Sequence, residues 1–470
     1  MKKVYSLFKT NNHYYVYDAN IDKVSKLSSR LYQLILNESE FQNDQEYDNL
    51  CKKGFFQSSK LNLAKRPETD VIDDFYKRKL GNVIFQTTQN CNLRCAYCPY
   101  SQSNMNNRNH NILNMPLNTA KKVLDFIHMH SVDRENISIG FYGGEPLLNF
   151  DLIKNIVNYA NNIFLGKELI YSITTNLTVI TNEMLRFFED NKFEIMVSLD
   201  GAKESNDKNR KYYSKKGSVF DTVIQNLKEI HNNYPYINSK CVISMVMDPA
   251  ECLDEYDDLI KEYPFMKSYR YNAVIQEDLF SDNKNIWSDR FKNQYYYKMF
   301  LCYISKIKKY KFENDLFLFE NAPEILKENI SNRYIFDNNT LIDNPFVLTS
   351  GMCTIGKHKL FVDVHGNFYP CEKVGETNKD FLIGNCVEGF DLKKCTDLIN
   401  FTSLFSDRCL KCIAMRDCQM CIKDFAVSGV YNEKSEEICE HYQNTFMEQL
   451  RAKAILHEAL FEEGENSEIQ

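Results

Sequence analysis

The chain has 470 residues, of which 43% are hydrophobic and 26% charged, with a formal net charge of −7; this is ordinary globular composition, at about three times the length of a typical domain. The longest apolar runs reach about eight residues against the roughly 20 that span a bilayer, and the start, MKKVYSLFKTNNHYY, lacks a secretory apolar segment, so no membrane partner and a cytoplasmic location are expected. Basic and acidic residues interleave without a broad positive field, which excludes nucleic acid as the default partner.

In chain order, residues 1–78 begin with two short strand patterns, VYSLFKT and HYYVYD, followed by a helical pattern from Leu27 to Leu36. The polar run from Gln57 to Asp74, with Pro67 inside it, reads as an exit linker. Six apolar strand candidates follow between Gly81 and Ile275: NVIFQTT, ISIGFYG, LIYSITT, FEIMVSLD, CVISMVM and YRYNAVI. They alternate with helical patterns such as Thr119–His130 and Val219–Ile230. This predicts an α/β fold with parallel strands and right-handed crossovers, and six units suit a partial barrel better than a closed eight-stranded one. Residues 288–350 read as aromatic-rich connecting helices, and the chain ends in a helix with a polar tail, EEGENSEIQ.

The 16 cysteines demand a reason, because clustered thiols in a reducing compartment usually hold metal or carry out redox chemistry. Cys91, Cys95 and Cys98 lie on one tight loop directly after the first barrel strand. Three thiolates there can hold three irons of a cubane and leave the fourth iron without a protein ligand, whereas zinc would ask for a fourth Cys or His close by. A second dense group comprises Cys353, Cys371, Cys409, Cys412, Cys418, Cys421 and Cys439. Seven thiolates exceed what a single zinc site uses, so two metal centres are expected, either iron–sulfur clusters or zinc ribbons. Cys51, Cys241, Cys252 and Cys302 are expected to pack in cores.

The C-x3-C-x2-C loop after the first strand resembles that of the radical S-adenosylmethionine (SAM) superfamily, and Gly143-Gly144-Glu145-Pro146 at the end of the second strand resembles the motif that holds the SAM amino group. The resemblance implies a partial (β/α)6 barrel in which Cys91, Cys95 and Cys98 hold a [4Fe-4S] cluster. It also implies that Tyr97, Gly143, Gly144, Glu145, Asn176, Ser198, Asp200 and Arg210 lie around SAM, with Tyr97 beside adenine and Arg210 facing the carboxylate. For Ser198, Asp200 and Arg210 a turn with a surface ion pair is the competing reading.

The second group resembles the SPASM domain, which carries two auxiliary [4Fe-4S] clusters in peptide maturases. By that resemblance Cys353, Cys371 and Cys421 hold the first, and Cys409, Cys412, Cys418 and Cys439 the second, giving three clusters in all. The two-residue spacing between Cys418 and Cys421 is one shorter than usual in the family. The first auxiliary set is a ligand short; Cys386, Cys395 or a histidine completes it, or the iron stays open for a substrate thiolate. Glu372, next to Cys371, stands where related sulfatase-maturing enzymes carry a catalytic aspartate, and is either a base or an ordinary polar neighbour. His365 reads as structural.

The amino-terminal module resembles the winged-helix-like leader-recognition element of peptide-modifying enzymes, with Tyr14, Tyr15, Val16 and Tyr17 near the sheet edge that would take up the peptide. The expected organisation is a recognition module over 1–78, a radical SAM core over 79–300, a bridging region over 301–352, the SPASM domain over 353–445 and a helix and tail over 446–470. The resemblance implies an enzyme that forms thioether links, from cysteine sulfur to carbon, in a ribosomal precursor peptide with a leader, with reduced flavodoxin or ferredoxin as electron donor. Carbon–carbon or carbon–oxygen crosslinking, epimerisation and anaerobic sulfatase maturation are alternatives, as is a metal-binding regulatory protein without turnover.

Overall fold

The structure is a computed structural model that describes residues 4–39, 43–58, 62–63, 65–98, 110–276, 287–306, 346–347, 353–425 and 435–459. Most of the bridging region and the polar tail from residue 460 onward lie outside the described residues.

The first unit is an antiparallel meander of β1 (Tyr5–Lys9), β2 (Tyr14–Asp18) and β3 (Lys23–Leu27), followed by α1 (Ser29–Leu36) and α2 (Gln45–Lys52). Leu27 ends a strand rather than opening a helix: Ser28 accepts the Leu31 N–H as a cap, which starts α1 two residues later. β2 is the central strand, so Tyr14–Tyr17 are not at a sheet edge. Tyr15 and Tyr17 are fully buried on the face that packs against Phe446, Leu450 and Ala454, while Val16 points to the opposite face, under Leu31 and Ile35.

Within the expected linker, the short β4 (Asn62–Leu63) pairs with β11 (Phe346–Val347), and a helix forms over Ile72–Arg78. The barrel strands are β5 (Asn82–Thr88), β6 (Asn136–Gly143), β7 (Glu168–Thr175), β8 (Glu194–Ser198), β9 (Val242–Met247) and β10 (Arg270–Ile275), all parallel and paired in sequence order. Alternation decides which face goes where. In β6 Ile137, Ile139 and Phe141 are buried beneath the helices, while Ser138, Gly140 and Tyr142 line the lumen. Helix Leu117–Met129 supplies Ala120, Val123, Leu124, Phe126 and Ile127 to that outer layer, the three-and-four spacing of an amphipathic helix.

The sheet does not stop at β5. β12 (Phe361–Val362) adds to it in parallel, and β13 (Asn367–Tyr369), β14 (Gly384–Asn385) and β15 (Gly389–Phe390) continue it antiparallel, so the cysteine-rich region is joined to the barrel by backbone hydrogen bonds. Helix Ser435–His457 returns to the first unit, where Glu458 accepts hydrogen bonds from Tyr15 Oη (2.6 Å), Thr10 Oγ1 (2.7 Å) and Asn12 Nδ2 (3.3 Å). Arg416, between Cys412 and Cys418, donates to the carbonyls of Ala19 (2.8 Å) and Asn20 (2.7 Å).

Among the described residues no helix is long and apolar enough to cross a membrane. Because Glu458 is buried, Tyr15→Phe, which removes one donor and little volume, is expected to lower stability by about 1–3 kcal/mol in urea denaturation.

Candidate active site at the carboxyl ends of the barrel strands

The loop from Cys91 to Cys98 leaves the end of β5 and is fixed by main-chain contacts. Arg94 N–H donates to Lys211 O (2.8 Å), Ala96 N–H to Asn209 O (2.9 Å) and Tyr213 N–H to Asn92 O (2.9 Å). Asn92 Nδ2 donates to Thr178 Oγ1 at 2.8 Å, and Asn176 Nδ2 donates to Asn92 Oδ1 at 3.0 Å and lies 3.9 Å from Cys91 Sγ.

Gly143 and Gly144 pass over the start of this loop. Gly143 has φ +142°, and a Cβ there would stand 2.3 Å from Thr88 O; at Gly144 it would stand 2.2 Å from Asn90 O. Only glycine permits that approach. It lets Glu145 N–H donate to Asn90 O at 2.8 Å, directly before Cys91. The Glu145 carboxylate is buried and accepts from Asn176 N–H (2.8 Å), Thr175 Oγ1 (2.7 Å) and Leu147 N–H (3.1 Å). Burial pushes its pKa up to about 7, with those hydrogen bonds pulling the other way.

Asp200 and Arg210 are a buried pair, not a surface one: Arg210 Nε donates to Asp200 Oδ2 at 2.8 Å and Nη2 to Oδ1 at 3.2 Å. Tyr97 Oη also donates to Asp200, the Arg210 guanidinium lies 5.5 Å from the Tyr97 ring centre, and its Nη1 is 4.0 Å from Cys95 Sγ. Tyr97, Asp200, Arg210 and Cys95 therefore form one cluster. Ser198 ends β8 in register with Ser244 of β9.

The three thiols of the loop face one another closely enough that Cys95 and Cys98 each raise the pKa of Cys91, although burial is the larger cause. Burial pushes Cys91 up to about 12 and Cys95 up to about 11, so both are neutral thiols, and a metal bound there would have to displace the proton. Among the described residues no three His, Cys, Asp or Glu side chains already converge on a single ion. A cubane does not require that, since each of its thiolates binds a different iron. Three cysteines on one rigid loop fit that donor set.

The second cysteine group separates into two. Burial and then neighbouring thiols raise Cys409, with Cys418, Cys439 and Cys412 as those neighbours. Cys371 lies within electrostatic reach of Cys421, and Cys421 of the exposed Cys353. Cys386 lies against Gly366, and the fully buried Cys395 lies near Tyr76. The main-chain N–H of His365 donates to Asp363 Oδ1 at 2.8 Å, so Asp363 caps this turn.

Glu372 forms an ion pair with Lys359. Together with Asn82, Ser138, Ser172, Glu194 and Lys240 they line an open lumen of about 250 Å³. Asn82 and Glu194 open their strands, so Glu372 stands at the amino ends of the strands, opposite the cysteine loop. A second carboxylate that the motifs do not mark, Glu376, reaches the other end and accepts from Gln86 and Gln89. Its local signals are a glutamine inside the apolar strand NVIFQTT and another just before Cys91.

Residues 85–263 match the family model described as the Radical SAM superfamily. This part of the barrel is similar to radical SAM domains, a class that uses SAM and a [4Fe-4S] cluster. With the cysteine-rich region behind it, the chain resembles proteins of the radical SAM–SPASM type. It is 34% identical over 159 residues to a cysteine-type anaerobic sulfatase-maturating enzyme of Clostridium novyi, covering 33% of this chain and 41% of that one. It is 25% identical over 358 residues to the enzyme of the same name from Clostridium perfringens, covering 72% and 88%. The chain spans less than half the length of the first curated relatives it matches. Among solved structures, native anSMEcpe with bound AdoMet shares the fold, with a TM-score of 0.53 at 17% identity, covering 80% of this chain and 99% of that one.

Glu145 gives a direct test of the unliganded site. Its proton is held more tightly in the folded state, about pH 7 against 4.5, so its contribution to stability is lost as pH rises through that window. The stability difference between wild type and Glu145→Gln is expected to fall by about 1.4 kcal/mol per pH unit between the two values, read by denaturation of the metal-free protein.

Proposed function

We propose that the protein is a radical SAM enzyme that modifies a ribosomally made precursor peptide in the cytoplasm, forming thioether links between cysteine sulfur and carbon. The observation that carries this reading is the Gly143–Gly144 crossing, which sets a buried carboxylate one peptide away from a three-cysteine loop. When bound, the cluster and SAM together supply a 5'-deoxyadenosyl radical that takes a hydrogen atom from a substrate carbon.

Cys91, Cys95 and Cys98 would hold that cluster. Ionised Glu145 would take the ammonium of SAM, with Gly143, Gly144 and Asn176 keeping it in place. Arg210 would offer its remaining N–H groups to the SAM carboxylate while Asp200 and Ser198 shape the ribose side, and Tyr97 would stand beside adenine. Cys353, Cys371 and Cys421 would hold the first auxiliary cluster, leaving an iron to which a peptide thiolate can bind, and Cys409, Cys412, Cys418 and Cys439 the second. Glu372, in the lumen, would accept the proton that the modified residue gives up, and an auxiliary cluster would accept the electron left when carbon and sulfur join. The amino-terminal module would bind the leader, and reduced flavodoxin or ferredoxin would deliver the electron.

Sulfatase maturation is the second reading, favoured by the names of the Clostridium relatives. Mass spectrometry separates the two. Co-expression with a small cysteine-rich peptide encoded next to the gene is expected to remove two hydrogens per link; conversion of cysteine in a sulfatase peptide to formylglycine, with the neighbouring peptide unchanged, would support the alternative. Reconstituted wild-type protein is expected to carry about 12 iron per chain, and the variant with Cys91, Cys95 and Cys98 replaced by Ala about 8 and no modification, on four irons per cluster.

A further inference from the structure

Glu376 follows Cys371 by five residues, and its carboxylate joins two glutamines at the end of β5. Gln86 Nε2 donates to Oε1 at 2.5 Å and Gln89 Nε2 to Oε2 at 3.2 Å. Gln86 Oε1 accepts from Val364 N–H at 3.2 Å and from Gln89 Nε2 at 3.4 Å. Tyr369 Oη donates to the Glu376 carbonyl at 3.1 Å. Gln86 is fully buried. Its oxygen is taken by a main-chain N–H, so its amide nitrogen must face Glu376, and only an acceptor suits that place.

The network ties two loops of different origin. On one side is the segment leaving Cys371; on the other is Gln89-Asn90, whose Asn90 carbonyl holds Glu145 and which runs straight into Cys91. We infer that Glu376 is a positioning residue that fixes the auxiliary-cluster segment against the SAM-cluster loop, so that the two sets of thiolates keep one separation. The identity of the two centres rests on the function proposed above; the network does not. Glu376 acts by accepting: replacing it with an amide sets nitrogen against nitrogen, and replacing Gln86 with a carboxylate sets two anions together. Exchanging both restores every pairing, because the carboxylate then on β5 accepts from Val364 N–H and from the new amide opposite it, while the oxygen of that amide accepts from Gln89.

The test uses reconstituted full-length protein and the variants Glu376→Gln, Gln86→Glu and the double exchange. Each single variant is expected to lower amide-exchange protection over residues 84–91 and 371–378 by about tenfold, as loss of a hydrogen bond to a charged group does. Each is also expected to weaken the magnetic interaction between the reduced clusters in EPR and to raise several-fold the SAM cleaved per peptide modified. The double exchange is expected to recover all three to within about twofold. Unchanged exchange and EPR in Glu376→Gln would overturn the inference. So would a double exchange that recovers exchange but not turnover and loses the acid limb of the pH profile, since Glu376 would then be a proton acceptor. Exchange and EPR can be read even if no peptide is modified, so failure of the proposed function leaves this test standing.

Discussion

Two carbonyl oxygens, those of Thr88 and Asn90, lie where the Cβ atoms of Gly143 and Gly144 would otherwise be. The ends of β5 and β6 thus touch backbone to backbone, an approach no other residue allows. From that contact the rest of the site follows. Glu145 N–H reaches Asn90 O, its carboxylate turns under Thr175 and Asn176, and Asn176 in turn holds Asn92 beside Cys91. The cysteine loop is gripped from the opposite side by the carbonyls of Asn209 and Lys211. Its geometry is therefore imposed by main chain on two sides and by the Asn176 side chain on a third.

The charges at this end are buried and close together. Asp200 and Arg210 neutralise each other in a buried bidentate pair, which is costly to break from either side. Yet Arg210 leaves one nitrogen directed at Cys95 Sγ, and its positive charge opposes the rise that burial gives that thiol. A thiolate made by metal binding would be stabilised there more than the neutral thiol. Glu145 is the complementary case: burial favours its neutral form, and a cation delivered against it would restore the charge.

What was legible in the sequence was whatever repeats locally. The six parallel strands announced themselves by an apolar outer face and short polar interruptions, and the cysteine and glycine motifs by spacing. The strands from β12 to β15 span only two or three residues each, too few for a period, and β12 owes its place to β5 some 275 residues earlier. β3 was hidden because KVSKL alternates weakly and adjoins a capping serine. Tyr15 and Tyr17 look like edge aromatics in isolation; that they are covered by Phe446 and held by Glu458 is a fact about residues more than 400 positions away. Glu376 carried no signal at its own position for the same reason, since the two glutamines that mark its place are far from it in the chain.

The two carboxylates behind Cys371 divide the barrel between them. β13 runs antiparallel to β12, so the chain arrives at Cys371 near the strand starts, where Glu372 meets Lys359. A few residues later Glu376 has climbed to Gln86 and Gln89 at the strand ends. Chemistry on parallel sheets is assembled at the strand ends, and β5 alone spans about 20 Å at 3.3 Å per residue. Glu372 can serve a reaction there only if the substrate itself fills the intervening lumen, past Ser138, Gly140, Ser172 and Thr174. A base placed at that depth would favour a peptide segment inserted lengthwise over a short side chain offered at the mouth, so Glu372 can be a base only for a substrate that enters the barrel deeply.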